Sequence, residues 1–211
     1  ADAELGSNVA IDRVNRMFIA GAPGYGNTGK AVIVEEAGGA WKEQWLEPPD
    51  PGQVVENFGF GVEVLGGWAM VGAPSEENSG AMSRVFIYRN DGTQWLHVQT
   101  IDDPRPNAPA EDGTYFGGRI CFLSPIQVAI AAPLCSYNRQ YEGIVFVFEL
   151  SGTTWKLEQI ISSPDPYPSN FFGVGLDSNR DGAMVIGAPL DDDLGSQTGT
   201  AFIYEQVFSL L

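Results

Sequence analysis

Short runs of apolar residues, separated by glycine, proline, asparagine or aspartate, recur along the whole chain. Between residues 58 and 101 these runs occupy residues 62–65, 68–72, 84–88 and 95–101. Their composition and length are typical of β-strands that end at turns. Gly66 and Gly67 separate the first two runs and predict a tight hairpin, because glycine tolerates the positive φ that such turns require. No stretch repeats apolar residues with helical periodicity over the length of a helix, so the sequence predicts an all-β protein.

The same group of marks occurs four times in the same order. The tripeptide GAP, or its variant AAP, lies at residues 21–23, 72–74, 131–133 and 187–189. Each copy is preceded by a second mark, namely LGSNV from Leu5, FGFGV from Phe58, FGGRI from Phe116 and FGVGL from Phe172. A small four-stranded unit cannot bury both of its faces alone, and radial stacking of such units solves this problem. The repetition therefore predicts blades of a β-propeller.

These marks resemble those of the FG-GAP repeat family, which builds the head of integrin α chains and many secreted proteins. The resemblance implies a β-propeller of FG-GAP blades, with four four-stranded antiparallel units visible and the last one incomplete. We expect residues 1–211 to form a single β-propeller or a portion of one, with blades at about 5–57, 58–115, 116–171 and 172–211. The chain departs from the family pattern at Leu5, which replaces Phe, and at Ala131, which replaces the Gly of GAP. A complete ring, a piece of a longer chain and a half that closes by self-association all fit this pattern.

Charge and motifs limit the classes of function. The 211 residues contain 27 Asp plus Glu and 11 Lys plus Arg, for a formal net charge of −16. Binding to nucleic acid is not expected, since neutralising phosphates requires a basic surface. No apolar run approaches the length that membrane insertion requires. The sequence contains one histidine, His97, and lacks GxSxG and HExxH motifs, so it predicts no catalytic triad or familiar zinc site.

We therefore expect a non-enzymatic module for protein–protein recognition or scaffolding, within a larger extracellular or lumenal assembly. The FG-GAP resemblance implies this function and setting, because most of the family serves adhesion, recognition or scaffolding. Two alternatives stay open: a carbohydrate-binding propeller or glycoside hydrolase that uses carboxylates at the blade rim, and a calcium-stabilised adhesion domain. Cys121 and Cys135 are compatible with one disulfide or with two thiols, so they do not decide the compartment.

One segment raises the question of calcium. DSNRDG at residues 177–182 matches the start of a calcium loop in which oxygens at alternate positions converge. By the resemblance to integrin-like repeats, Asp177, Asn179 and Asp181 would supply side-chain oxygens. Val185 occupies the ninth position, which is normally acidic in that pattern. A β-turn held by bonds between side chains and backbone accounts for the same residues, so the sequence leaves calcium and a simple turn as alternatives.

The remaining candidates are residues for contact with a partner. Asp191, Asp192 and Asp193 follow the last GAP and could bind a basic partner or form a solvated loop. The inserted segment 102–115, which contains Arg105, is a further expected contact, because insertions in repeat proteins map to one face.

Tryptophans recur near the start of the last strand of the units. We expect such repeated residues to pack between neighbouring blades, and they are Trp41, Trp45, Trp95 and Trp155. Trp68 falls outside that register, so we expect it to be exposed and to contact a partner.

Overall fold

The computed structural model describes residues 3–76, 79–105, 113–136, 139–192, 195 and 198–205. These residues contain fifteen β-strands and no helix, and hence no helix that could cross a membrane. The strands are β1 (Val9–Asp12), β2 (Met17–Ala22), β3 (Lys30–Ala37), β4 (Ala40–Leu46), β5 (Gly61–Leu65), β6 (Trp68–Ala73), β7 (Arg84–Asn90), β8 (Trp95–Asp102), β9 (Arg119–Ser124), β10 (Gln127–Ala132), β11 (Ile144–Ser151), β12 (Thr154–Ser162), β13 (Gly175–Ser178), β14 (Met184–Ala188) and β15 (Thr200–Tyr204).

The strands form four antiparallel sheets, each made of strands that are consecutive in the chain. The first sheet contains β1 to β4, the second β5 to β8, the third β9 to β12 and the fourth β13 to β15. The predicted all-β class and its four antiparallel units are confirmed, and the fourth sheet has three strands within the described residues. The predicted hairpin is also confirmed, with φ of 58° at Gly66 and 82° at Gly67.

The chain divides into two compact units, Ala1–Gly113 and Thr114–Leu211. The first unit holds the first and second sheets, and the second unit holds the third and fourth. Each unit has its own apolar core between its two sheets. The blade boundaries given above stay a prediction.

In the first unit, one face of the first sheet packs on one face of the second. The core residues include Met17, Ile19, Ala31, Ile33 and Leu46 from the first sheet and Val62, Val64, Ala69, Val71, Phe86, Tyr88 and Trp95 from the second. Hydrogen bonds connect the two sheets at the edges of this interface. Asp12 Oδ2 accepts a bond from the Gly66 amide at 2.8 Å. Tyr88 donates its hydroxyl proton to the Glu47 carbonyl at 2.6 Å.

In the second unit, the third and fourth sheets pack in the same way. The core residues include Cys121, Leu123, Ala129, Ala131, Val145, Val147 and Ile161 from the third sheet and Met184, Ile186 and Ala188 from the fourth. Ser178 donates its hydroxyl proton to the Phe122 carbonyl at 2.5 Å. The two units thus repeat one mode of sheet packing.

The phenylalanine of the repeated FG mark is a core residue of its own blade. Phe58, Phe116 and Phe172 are fully buried. Each ring lies against two aromatic rings of the third strand of its sheet. The ring pairs are Phe58 with Phe86 and Tyr88, Phe116 with Phe146 and Phe148, and Phe172 with Phe202 and Tyr204. At the same place in the first sheet, Leu5 is 56% exposed.

Candidate protein-interaction surface

The first sheet contacts the second through one face only, and its other face carries apolar side chains. We call this other face the open face. Its apolar residues are Val9, Ile11, Phe18, Ala20, Val32, Val34, Trp41 and Trp45, and the exposed Glu43 lies between the two tryptophans. The register places Val9, Ala20, Val32 and Trp45 in one row across the four strands. Val9 is 65% exposed, Trp41 54% and Trp45 40%. Contiguous exposed apolar groups of this kind mark sites of interaction.

One end of the open face is an aromatic pair with a cation. The rings of Phe18 and Trp41 lie 5.4 Å apart and are tilted by 59°. The guanidinium of Arg16 lies 5.8 Å from the Trp41 ring. Glu36 forms an ion pair with Arg16 at 2.5 Å. These contacts restrict the orientation of Trp41 although more than half of its surface is exposed.

A second aromatic pair lies beside the other end of β4. The rings of Tyr25 and Trp45 are 5.8 Å apart. Lys30 Nζ lies 4.6 Å from the Tyr25 ring and forms an ion pair with Glu47. The bond to Glu47 raises the pKa of Lys30. The surface therefore combines apolar and aromatic side chains with charged residues, and protein interfaces commonly contain both.

Comparison of strand register shows which face of the second sheet is equivalent to the open face. Trp41 pairs with Glu36 in the first sheet, and Trp95 pairs with Asn90 at the equivalent position in the second. Trp95 is only 3% exposed, because the first sheet covers it. The side chain of Gln44 both accepts a bond from the Trp95 amide and donates one to its carbonyl, each at 2.8 Å. The open face of the first sheet is thus equivalent to the face of the second sheet that packs against the first.

The tryptophans depart from the sequence-based expectation. Trp95 and Trp155 are buried as predicted, whereas Trp41 and Trp45 are exposed. Trp68, which we expected to be exposed, is only 5% exposed, so that prediction is corrected. The register pairs Trp68 with Arg89, and the Arg89 guanidinium, 4.5 Å from the centre of the indole ring, contributes to this burial. Sequence periodicity located the repeated positions but not which of them a neighbouring sheet would cover.

The acidic loop after the last GAP is also partly internal. Asp191 is fully buried, so it does not face a partner as predicted. Its carboxylate accepts bonds from the Asn170 amide and the Thr200 hydroxyl, each at 3.0 Å, and these bonds hold the loop. Asp192 is exposed, and Asp193 lies outside the described residues.

Arg105 lies at the start of the inserted segment 102–115. Its guanidinium forms an ion pair with Asp103 at 3.0 Å, and the two side chains are 7% and 8% exposed. Arg105 therefore does not project as the exposed contact that we expected. Residues 106–112 of the insertion lie outside the described part of the chain, so the segment's contact role stays a prediction.

The DSNRDG segment forms a turn at the end of the β13–β14 hairpin. Asn179 Oδ1 accepts bonds from the amides of Asp181 at 2.8 Å and Ala183 at 3.1 Å. Its oxygen is therefore occupied within the turn, and only the carboxylates of Asp177 and Asp181 remain from the expected set. Calcium takes six to eight oxygens, so this arrangement fits a resident calcium ion poorly. Among the described residues, no group of three or more His, Cys, Asp or Glu side chains is placed to hold a metal.

The single histidine lies within the aromatic packing of the second sheet. His97 Nε2 is 2.9 Å from the Thr100 hydroxyl, and its ring is 5.6 Å from that of Tyr88. Burial lowers the pKa of His97. These contacts give His97 a packing role on β8.

Comparison with known families agrees with this repeat structure. Residues 155–204 match the sequence model of the FG-GAP repeat. The matched segment begins in β12 and ends with β15, so it includes most of the outer strand of the third sheet and all three strands of the fourth. The resemblance found in the repeated marks is thereby confirmed.

Proposed function

We propose that this FG-GAP repeat chain is a non-enzymatic recognition or scaffolding module that binds a protein partner through the open face of its first sheet. FG-GAP repeats form propeller-like modules that often bind proteins and are generally non-enzymatic. They typically occur in extracellular domains, and we extend the proposal to an extracellular or lumenal assembly.

The observation that carries the proposal is the exposure of Trp41 and Trp45 on an otherwise regular sheet face. The two residues are 54% and 40% exposed, yet contacts with the Phe18 and Tyr25 rings hold their indole rings in defined orientations. Binding energy at protein interfaces concentrates in such aromatic residues when a partner desolvates them. Because these side chains are already oriented, a partner would lose little side-chain freedom on binding.

A cross-linking experiment followed by a binding measurement tests this proposal. A photoreactive amino acid at position 43, which lies between the two tryptophans on β4, would attach a bound protein covalently and allow its identification. The purified partner would then be titrated against the wild-type chain and the Trp41→Ala variant. We expect the variant to bind about 30-fold more weakly, which corresponds to loss of a contact worth about 2 kcal/mol.

Leu96→Ala is the matched control, because Leu96 is 43% exposed on β8 and does not belong to the open face. The proposal is wrong if the identified partner binds Trp41→Ala and wild type equally well. A glycan array tests the carbohydrate-binding alternative.

A further inference from the structure

The fourth sheet also leaves one face uncovered, and we call it the trailing face. Its residues are Gly175, Asp177, Val185, Gly187, Ala201 and Ile203. Val185 and Ile203 pair directly across β14 and β15 and are 40% and 76% exposed. An isoleucine with three quarters of its surface in water, beside an exposed valine, indicates a second site of contact.

The trailing face is equivalent to the face that the first sheet uses to bind the second. Val185 lies two residues before Gly187, as Ile19 lies two residues before Gly21. Ile203 pairs with Val185 as Ile33 pairs with Ile19. Ile19 and Ile33 are each only 1% exposed, because the second sheet covers them.

The open face is equivalent to the other side of that interface, which is the face of the second sheet that packs against the first. Val9 and Ile11 occupy the register positions of Val62 and Val64, which lie in the core between the first and second sheets. The chain therefore carries the two complementary halves of one type of sheet–sheet interface. One half is exposed on the first sheet and the other on the fourth.

We propose, building on the recognition function above, that the open face binds the trailing face of a second copy of this chain. Two different surfaces would then meet, so the contact is heterologous and either closes a ring or extends further. The chain's net charge of −16 opposes the approach of two copies. Salt screens such repulsion, so association driven by these apolar faces strengthens as ionic strength rises.

Complementation between two variants tests the inference. Trp41→Lys damages the open face and Ile203→Lys damages the trailing face, and both side chains are exposed, so the fold should tolerate both changes. In sedimentation velocity, we expect wild type to self-associate. Each variant alone should associate at least about 30-fold more weakly. A mixture of the two retains one intact face of each kind and should form a 1:1 heterodimer that grows no further. Both variants gain the same positive charge, so attraction between the new lysines cannot produce that heterodimer.

Leu96→Lys and Ile126→Lys are the controls, because these residues are 43% and 50% exposed and lie outside both faces. We expect both controls to associate like wild type. Circular dichroism would verify the fold of every variant, and Val9→Lys would replace Trp41→Lys if the latter failed to fold.

The inference would be overturned by a wild-type chain that stays monomeric at about 100 μM, by variants that associate as strongly as wild type, or by a mixture that forms no heterodimer. If Ile203→Lys alone still associates and Trp41→Lys does not, two open faces bind each other and the inference is wrong. A monomeric wild type that still binds another protein through Trp41 would refute only this inference and leave the proposed recognition function intact.

Discussion

The glycine of GAP in the first sheet has no room for a methyl group, and we expect Gly21→Ala to destabilise the first unit strongly. A Cβ at Gly21 would lie 2.8 Å from the carbonyl carbon and 3.3 Å from the Cα of Gly59, and nearer still to the carbonyl oxygen. These atoms are backbone, so the clash cannot be relieved by turning a side chain. Either β2 or the FG segment that precedes the second sheet must move.

The size of the effect follows from the bonds that such a movement disturbs. Gly59 donates its amide to the Gly72 carbonyl at 3.0 Å, and Phe58 donates to the Thr28 carbonyl at 2.9 Å. Overpacking a core costs about 1–3 kcal/mol, and each weakened backbone bond adds about 1 kcal/mol. We therefore expect Gly21→Ala to lower the free energy of unfolding by about 3–5 kcal/mol. For a chain of this size, the melting temperature would fall by roughly 6–20 °C.

Urea titration and thermal unfolding, both followed by tryptophan fluorescence, measure this change. Gly52→Ala is the matched control, because its new Cβ would meet only a side-chain atom, the Asp50 Oδ1, at 3.2 Å. We expect that control to change stability by no more than about 0.5 kcal/mol. Ala131 occupies the position of Gly21 in the third sheet, and Ala131→Gly should cost about 1–2 kcal/mol through chain entropy and a lost buried methyl. A Gly21→Ala loss below about 1 kcal/mol would show that the FG segment adapts and would refute the reasoning.

Three further predictions concern other parts of the chain. Phe58→Ala should lower stability by about 3–5 kcal/mol, whereas the equivalent Leu5→Ala should cost less than about 1 kcal/mol, because Phe58 is fully buried and Leu5 is 56% exposed; equal losses in urea titrations would contradict this. Burial lowers the pKa of His97, so the free energy of unfolding should fall as pH drops from the unfolded pKa of about 6.5 towards the folded value. His97→Asn should remove this part of the pH dependence. If the variant and wild type lose stability equally between about pH 7 and pH 5, this prediction is wrong. Calcium should leave the melting temperature unchanged, since the Asn179 oxygen is occupied within its turn; a rise that saturates with calcium and is reversed by chelator would restore the calcium hypothesis.

The sequence predicted the local architecture closely because turn residues and strand alternation are local properties. The four strands predicted for residues 62–101 differ from β5 to β8 by only one or two residues at their ends. The repeated FG and GAP marks likewise identified the units, since each mark meets a steric demand. The FG glycines adopt positive φ in all four copies, at 89°, 97°, 88° and 99° for Gly6, Gly59, Gly117 and Gly173.

The candidate surface was less accessible to sequence reasoning, because burial depends on which sheet lies against a residue. Trp41 and Trp95 occupy the same register position, yet one is 54% exposed and the other 3%. The break in the repeat predicted that Trp68 would be exposed, but in the folded protein it is only 5% exposed and contacts its cross-strand neighbour Arg89. Asp191 looked like a surface charge in an acidic run, but Asn170 and Thr200 bind it inside the loop.

The sequence by itself therefore determined the strands, the turns and their fourfold repetition, since these follow from steric limits and the alternation of apolar side chains within short segments. Only the tertiary structure decided which copy of each repeated face is covered. Sheet packing joins residues that are distant in the chain, and identical positions in successive repeats meet different neighbours.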